Sequence, residues 1–311
     1  MKSSIKNTLK KTALEEQYDA SAKAFLSDKT LIAHICKEVV TEVKDYTVEE
    51  IVSFLDEAKV SSEAVEAQIT GEANESTEIN EGRVTFDIVC DLNIPTEEKV
   101  IKILIDLEAQ KESSPGYDLV KRGFFYCARL LSRQLGREFA HSNYDNIKKV
   151  YSIWVCMNEK GINANTVTRY SIVHSDIIGE YVGESKGDVM EVIMIRLGKE
   201  VSDETNVTQM LGVIFTEKMK YYDKIKVLEE RYEFEFSEEG KEELNTMCNL
   251  SLGFRERGIE EGIKEGQTTK LLSVVKNMVK NGFDDNMIIS CTEASKEEIL
   301  KIREELGIYQ S

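Results

Sequence analysis

Two carboxylates and an amide lie at alternate positions of two neighbouring strand-like segments. Asp87 belongs to the first segment, VTFDIVCDL, and Glu108 and Gln110 belong to the second, VIKILIDLEAQ. Successive side chains of a β-strand point to opposite faces, so Glu108 and Gln110 emerge on the same side. Carboxylate oxygens that converge across a hairpin can hold Mg²⁺ and leave coordination positions open for water and a phosphate. The pair therefore predicts metal-assisted phosphodiester hydrolysis, with Mn²⁺ as a second candidate ion.

The same residues also fit a plain structural interpretation. Alternating strands often carry Asp, Glu and Lys on a face that is only solvated. The opposite face of the second segment is apolar, with isoleucine, leucine or alanine at every other position from 101 to 109. Such a strand is anchored in a core and holds its polar face as a rigid platform. The spacing alone leaves both interpretations open.

A stripe of arginines at helical spacing follows the second segment. Its members are Arg122, Arg129, Arg133 and Arg137, with Tyr126 between them. Residues 111–150 contain 8 basic and 4 acidic residues, so their charge is +4 and that of the remaining chain is −21. A basic face beside paired carboxylates fits a phosphate-backbone partner such as DNA. The alternative is the solvated side of an amphipathic helix.

The overall composition limits these hypotheses. The chain has 40 basic and 57 acidic residues, and its net charge of −17 argues against a general nucleic-acid binder. Six cysteines without a CxxC pair argue against structural zinc and fit a reducing compartment. The N-terminus resembles no secretory signal, and no run of about 18 apolar residues predicts a transmembrane helix. We expect a cytoplasmic protein without a membrane partner.

Strand and helical periods alternate along the chain, which predicts an α/β fold. Thr47 and Glu50 have the spacing of a capping box at the start of a second helix. The helical periods cover residues 28–44, 117–139 and 210–232, and the other strand-like runs are 149–156, 169–175 and 189–197.

The C-terminal part of the chain has a different composition. Residues 229–267 contain 12 acidic and 5 basic residues, with Gly258, Gly262 and Gly266 at intervals of four. This connector is either a linker or part of a close-packed helix pair. Residues 268–311 predict three short helices, which form either a helix-turn-helix or a packing module that makes a homo-oligomer. We therefore divide the chain into four segments: 1–27, 28–228, 229–267 and 268–311.

The chain resembles the PD-(D/E)XK nuclease superfamily over residues 28–197, the connector and the tail. The resemblance is carried by GRVTFDIVCDL, IKILIDLEAQ, PGYDLVKRGFFYCARLLSRQLG and YDNIKKVYSIWVC. Within the superfamily, the chain is similar to the nuclease-family transposases, which are related to the recombination-promoting nucleases. The resemblance implies a restriction-endonuclease-like mixed β-sheet flanked by helices, with a helical C-terminal extension. It also implies a Mg²⁺-dependent DNA endonuclease linked to recombination or transposition.

The resemblance assigns roles to individual residues. It places the motif aspartate at Asp87 and the motif glutamate at Glu108, both as metal ligands. The motif lysine falls at Gln110, which can orient an attacking water but adds no charge. A helical glutamate often joins such a site, and Glu42 is the candidate, with Glu38 behind it. Arg122 is the candidate to supply the missing positive charge.

Two other functions remain open. The first is a catalytically inactive nuclease-fold protein that acts as a binding or regulatory module, which Gln110 and the net charge of −17 favour. The second is an interaction protein built around the acidic connector and the helical tail. Metal binding at Asp87 distinguishes the enzyme from both.

Overall fold

The strand periods of the sequence correspond to one mixed β-sheet and a short two-stranded sheet. The computed structural model describes residues 17–18, 20–56, 59–60, 64–65, 84–85, 87–97, 100–110, 115–183, 187–216, 218–292 and 294–308. Within these residues the strands are β1 (Lys59–Val60), β2 (Ala64–Val65), β3 (Val84–Thr85), β4 (Ile88–Pro95), β5 (Val100–Gln110), β6 (Lys149–Cys156), β7 (Thr166–Ser171) and β8 (Met190–Arg196). Phe86, in the first predicted strand, and residues 1–16, in the predicted N-terminal extension, lie outside this set.

Six strands form the large sheet in the order β1-β4-β5-β6-β8-β7. The hairpin expected from the alternating segments is confirmed, because β4 and β5 pair antiparallel with Ile88 opposite Leu107. Strands β5, β6 and β8 are parallel to one another, and β7 pairs antiparallel with β8 at the edge. The chain is therefore of the α/β class. Strand β7 begins three residues before the predicted run at 169–175.

Helices flank this sheet and follow it along the chain. They are α1 (residues 20–26), α2 (Lys29–Val39), α3 (Val48–Phe54), α4 (Leu119–Arg133), α5 (Val207–Phe215), α6 (Tyr221–Tyr232), α7 (Glu238–Lys280), α8 (Asp285–Thr292) and α9 (Lys296–Leu306). The predicted capping box of Thr47 and Glu50 is present at α3. Within the part of the chain that the structure describes, no helix is both long and apolar enough to cross a bilayer.

Two of the predicted helices are shorter than their sequence periods suggest. Helix α4 ends at Arg133 rather than near residue 139, and Gly136 follows with a positive φ of +78°. The helix predicted over 210–232 is two helices, because the backbone is extended at Thr216 and Lys220. Helix α5 is buried along nearly its whole length, whereas α6 buries only Lys224 and Leu228. A single helix with one apolar face cannot suit both a buried and a mostly exposed segment, so the helical run is interrupted between α5 and α6.

The sheet has an apolar layer on each face. On one face, strand residues such as Ile105 and Tyr151 pack with Phe25 and Leu31 from the N-terminal helices. On the other face, a smaller layer joins the sheet to α4. Its fully enclosed members are Leu104, Leu119, Tyr126, Cys127, Leu130, Val150, Trp154, Cys156, Val192 and Met194. The α4 layer determines the surroundings of the candidate site, because Asp106 and Glu108 lie on the same face of β5 as Leu104.

The chain divides into two units, residues 1–250 and residues 251–311. In the second unit, Val275 and Val279 of α7 share a small core with Ile288, Ile299 and Ile302. The predicted capping box of Ser295 and Glu298 is present at α9, and Gly282 follows α7 with a φ of +78°. The repeated glycines of the predicted connector lie within α7, which runs from Glu238 to Lys280.

Candidate active site

Asp87 and Glu108 are held together at the open end of the β4–β5 hairpin. The Asp87 backbone N–H donates a 2.8 Å hydrogen bond to Glu108 Oε1, and the Ala109 N–H donates one of 3.1 Å to Asp87 Oδ2. Each carboxylate is thus bound by the backbone of the other strand. Glu108 is only 3% exposed, and the Asp87 side chain is 14% exposed. This reciprocal arrangement fixes two carboxylates side by side before any ligand arrives.

The two carboxylates open into a cavity of about 250 Å³ at the carboxyl ends of β5 and β6. Its lining residues are Tyr18, Ala22, Lys23, Asp87, Glu108, Ala109, Gln110, Arg122 and Met157. The structure therefore brings together four of the residues selected from the sequence, namely Asp87, Glu108, Gln110 and Arg122. It adds a lysine that the sequence reasoning left in the N-terminal extension.

A third carboxylate, Asp106, lies behind the pair and is completely buried. Ser152 Oγ donates a 2.6 Å hydrogen bond to Asp106 Oδ2, and Trp154 Nε1 donates one of 2.8 Å to the same Ser152 oxygen. Asp106 Oδ1 has no partner of this kind among the described residues. The Asp106 and Glu108 carboxyl groups interact with each other, and the contact becomes a hydrogen bond only when one of the two acids is protonated.

Burial raises the pKa of Glu108, and the nearby charges of Asp106 and Asp87 raise it further. Burial also raises the pKa of Asp106, against the opposing effect of its hydrogen bond from Ser152. Two interacting acids of this kind titrate as a pair rather than independently. The pair retains a proton at pH values where an exposed carboxylate has lost it, and a divalent cation would compete with that proton.

Two cationic side chains line the same cavity. Lys23 of α1 places its Nζ 2.6 Å from Asp87 Oδ1. Arg122 of α4 donates from Nη1 to the Tyr117 hydroxyl and from Nη2 to the Tyr126 hydroxyl, both at 2.6 Å. Its guanidinium also lies 5.1 Å from the centre of the Trp154 ring. Arg122 is thus a fixed charge, whereas Lys23 is held through one of the candidate metal ligands.

The arginine stripe is only partly a surface feature. Tyr126 is 5% exposed and packs its ring 5.4 Å from that of Trp154, so it belongs to the α4 layer and corrects the expectation of a DNA contact. Its hydroxyl orients Arg122 instead. Arg129 and Arg133 are half-buried on α4, and Arg137 is exposed in the turn that follows. The stripe borders the packed side of α4, which is why one of its members is buried.

Glu42 is not part of this group, contrary to what the resemblance implied. It lies in a 3₁₀ turn, Thr41–Val43, where Lys149 Nζ is 3.0 Å from its Oε1 and the Tyr151 hydroxyl donates a 2.7 Å hydrogen bond to its Oε2. Glu108 pairs in register with Trp154, so Tyr151 projects from the opposite face of the sheet. Glu38 is exposed on α2. A helical period does not reveal which sheet face a helix covers.

Sequence reasoning missed both Asp106 and Lys23. Asp106 lies two residues before Glu108 on the same face of β5, and this spacing is the signal that could have singled it out. No local pattern connects Lys23 with Asp87, because they are far apart in the chain.

Few side chains at the cavity could coordinate a metal ion. Within the described residues, no group of three or more His, Cys, Asp or Glu side chains is arranged to hold a metal ion. The candidate ligands are therefore the two carboxylates of Asp87 and Glu108. Comparison with protein-family models, curated proteins and solved structures finds no match for this chain.

Proposed function

We propose that the chain is a metal-dependent DNA endonuclease of the PD-(D/E)XK type, linked to recombination or transposition as its resemblance implies. The observation that carries the proposal is the reciprocal hydrogen bonding of Asp87 and Glu108 at an open cavity. The same cavity holds two cationic side chains, Lys23 and Arg122. Carboxylates for a metal ion and cations for a phosphate are what phosphodiester hydrolysis requires.

Asp87 and Glu108 would hold Mg²⁺, or Mn²⁺ in its place. Mg²⁺ commonly binds through one or two carboxylates and keeps its other positions for water and substrate phosphates. Two carboxylates beside an open cavity fit that pattern better than they fit a closed metal site. A bound cation would also displace the proton that the buried pair of Glu108 and Asp106 retains. When bound, the ion would lower the pKa of a water molecule and neutralise charge on the phosphate.

The chain's own residues have separate tasks in the reaction. A water molecule attacks phosphorus, the bond to one ester oxygen breaks, and the products are a phosphate monoester and a hydroxyl group. One proton leaves the water and one joins the departing oxygen. The Gln110 amide oxygen can accept a hydrogen bond from the attacking water and orient it. The Arg122 guanidinium, held by two tyrosine hydroxyls, can donate to a phosphate oxygen without reorganising.

The arginines beyond the cavity favour DNA over a small phosphoester. Arg122 and Arg133 lie eleven residues apart on α4, which corresponds to roughly 16 Å along a helix. This distance exceeds a single nucleotide and suits several successive phosphates. The local charge of +4 over residues 111–150 stands against −21 for the rest of the chain. The spacing of Arg122, Arg129 and Arg133 along α4 lets a strongly acidic protein still offer one basic helix face to a polyanion.

Incubation of the purified protein with supercoiled plasmid tests the proposal. Wild type with Mg²⁺ or Mn²⁺ should convert the plasmid to nicked and linear forms, and EDTA should stop the conversion. Asp87→Asn should be inactive, because a neutral amide cannot replace the charge of a metal ligand. Asp45→Asn, at an exposed turn, is the matched control and should cut like wild type. Equal cutting by wild type and Asp87→Asn would mean a contaminant or a misplaced site.

DNA binding by the stripe can be measured separately from cleavage. In the Asp87→Asn background, Arg129→Ala plus Arg133→Ala should weaken binding to a labelled duplex in fluorescence anisotropy. The slope of log affinity against log salt should fall by about 2, since each lost phosphate contact contributes close to one unit. The double change Lys44→Ala plus Lys199→Ala removes the same charge from exposed positions elsewhere. If both double variants behave alike, the stripe is not the DNA-binding surface.

A binding module without catalysis is the second candidate, and one observation favours it. Lys23 already neutralises Asp87, so the cavity has an internal counter-ion without any metal. Such a protein would bind DNA but not Mn²⁺. Isothermal titration with Mn²⁺ separates the two candidates, because the endonuclease requires binding that Asp87→Asn abolishes.

A further inference from the structure

Two acidic side chains line the cavity, and Gln110 beside them carries no positive charge to balance theirs. Asp87 and Glu108 line the cavity with the cations Lys23 and Arg122, and the buried carboxyl of Asp106 lies behind Glu108. A phosphodiester would add further negative charge during attack. A site of this composition needs a mobile cation at the point where that charge develops.

We infer that Lys23 is a catalytic residue of this site, and that its ammonium contacts the attacking water and the phosphate from α1. This inference rests on the proposed nuclease function and deepens it. Lys23 Nζ lies 2.6 Å from Asp87 Oδ1 and lines the same cavity as Glu108 and Gln110. The lysine thus reaches the reacting centre from an element distant in sequence from the hairpin.

Exposure and flexibility suit Lys23 to this task. Its side chain is 38% exposed, whereas that of Asp87 is 14% exposed, so the ammonium lies at the mouth of the cavity. Four rotatable carbons let a lysine follow a charge that moves during the reaction. The Arg122 guanidinium is instead fixed by Tyr117 and Tyr126. The two cations are therefore not equivalent: Arg122 is a fixed donor and Lys23 an adjustable one.

Asp87 links the lysine to the metal ligand set. A divalent cation at Asp87 would repel the ammonium from Oδ1, and a phosphate in the cavity would attract it. Lys23 would then move from the carboxylate to the phosphate and the attacking water. The lysine would stabilise the negative charge there and would take no part in the proton balance of hydrolysis. In the absence of ligand, the ammonium forms an ion pair with Asp87 beside two other acidic side chains.

This role predicts opposite effects of Lys23→Ala on metal binding and on cleavage. Removing a competing cation should leave Mn²⁺ affinity equal to or higher than that of wild type in isothermal titration. Single-turnover cleavage at saturating Mn²⁺ should nevertheless fall about 100-fold, the usual effect of losing one charge-stabilising donor. Lys23→Arg keeps the charge and should recover at least part of this loss. Lys44→Ala, an exposed lysine in the same unit, is the matched control and should cut normally.

A variant that moves the lysine from α1 to β5 tests the inference most directly. Gln110 lines the same cavity, so Lys23→Ala combined with Gln110→Lys returns an ammonium to the site from β5. The double variant should cut at least tenfold faster than Lys23→Ala alone. Thermal unfolding followed by circular dichroism checks that each variant is folded. A folded Lys23→Ala that cuts at the wild-type rate, or that loses Mn²⁺ binding in step with cleavage, overturns the inference and leaves the nuclease intact. A wild type that cuts no DNA overturns both.

Discussion

Glu108→Gln should stabilise the protein at pH 8 and, in the same molecule, reduce DNA cleavage about 1,000-fold or more. Both effects have one cause, which is the replacement of a buried ionisable carboxyl by a neutral amide. Glutamine keeps the shape of the side chain and the oxygen that accepts from the Asp87 N–H. Its amide can also donate to Asp106, as a protonated Glu108 carboxyl does in the wild type. The variant loses the charge that a metal ligand requires.

The stabilisation should depend on pH in a defined direction. The folded-state pKa of Glu108 is raised above the ordinary value near 4.3, so the folded state binds more protons than the unfolded state above that pH. Wild type therefore loses stability as the pH rises from about 4 through the folded-state pKa, and the variant does not. At pH 4 the two should unfold at nearly the same temperature. At pH 8 the variant should be more stable by about 2 kcal/mol.

Thermal unfolding at pH 4 and pH 8, together with the plasmid assay, measures both effects. A gain of about 2 kcal/mol should raise the melting temperature by about 6 °C in a domain of this size. Glu97→Gln is the matched control, because Glu97 is exposed in the turn of the same hairpin and should change neither property. If Glu108→Gln melts at a lower temperature than wild type at pH 8, the buried carboxyl of Glu108 does not destabilise the folded protein, whatever the activity of the variant.

Gly123→Val should unfold the protein at a temperature about 6 °C lower. A Cβ atom at position 123 would lie 2.6 Å from Val192 Cγ1 and 3.1 Å from Trp154 Nε1. Both neighbours are fully buried, and Val192 is a β-branched residue on the inner strand β8, so neither moves easily. Helix α4 must then retreat from the sheet. Overpacking of this kind costs about 3 kcal/mol, which exceeds the gain of about 1 kcal/mol from removing a helical glycine.

The effect should follow side-chain size and reach the cavity. Gly123→Ala should be milder than Gly123→Val, and Gly212→Ala in α5 is the control, since its Cβ would make only an ordinary 3.4 Å contact. Displacement of α4 also moves Arg122, so cleavage by folded Gly123→Val should fall as well. Differential scanning calorimetry gives the order of stabilities. Equal melting of the Val and Ala variants would show that α4 does not pack as tightly as these distances indicate.

The sequence predicts the hairpin and its carboxylate pair well because both depend on local alternation. Asp87, Glu108 and Gln110 are brought together by the pairing of β4 with β5, which the two-residue period already specifies. Asp106 lies on the same polar face but is fully buried, because α4 covers that face and Ser152 of the neighbouring strand β6 supplies its hydrogen bond. Alternation identifies a polar face and does not reveal what covers it.

The remaining differences arise from long-range packing. Lys23 contacts Asp87 although the two residues are far apart in the sequence, and no sequence period predicts that contact. Glu42 is helical in pattern but faces Tyr151 on the other side of the sheet. Helix α4 ends early because Leu135 is 59% exposed and does not continue the buried face. In each case the tertiary environment decides the outcome, and the local sequence fits more than one environment.

The strand order of the sheet also affects the protein while it is being synthesised. Strand β7 precedes β8 in the chain, yet β8 lies between β6 and β7 in the sheet. The edge of β6 therefore has no partner until the ribosome has delivered residues 190–196. At about 5 to 20 residues per second, the 33 residues between Cys156 and Met190 take roughly 2 to 7 seconds to synthesise. Throughout that interval a nascent chain presents one open edge of a mostly apolar strand, which is the species that chaperones would have to shield from aggregation.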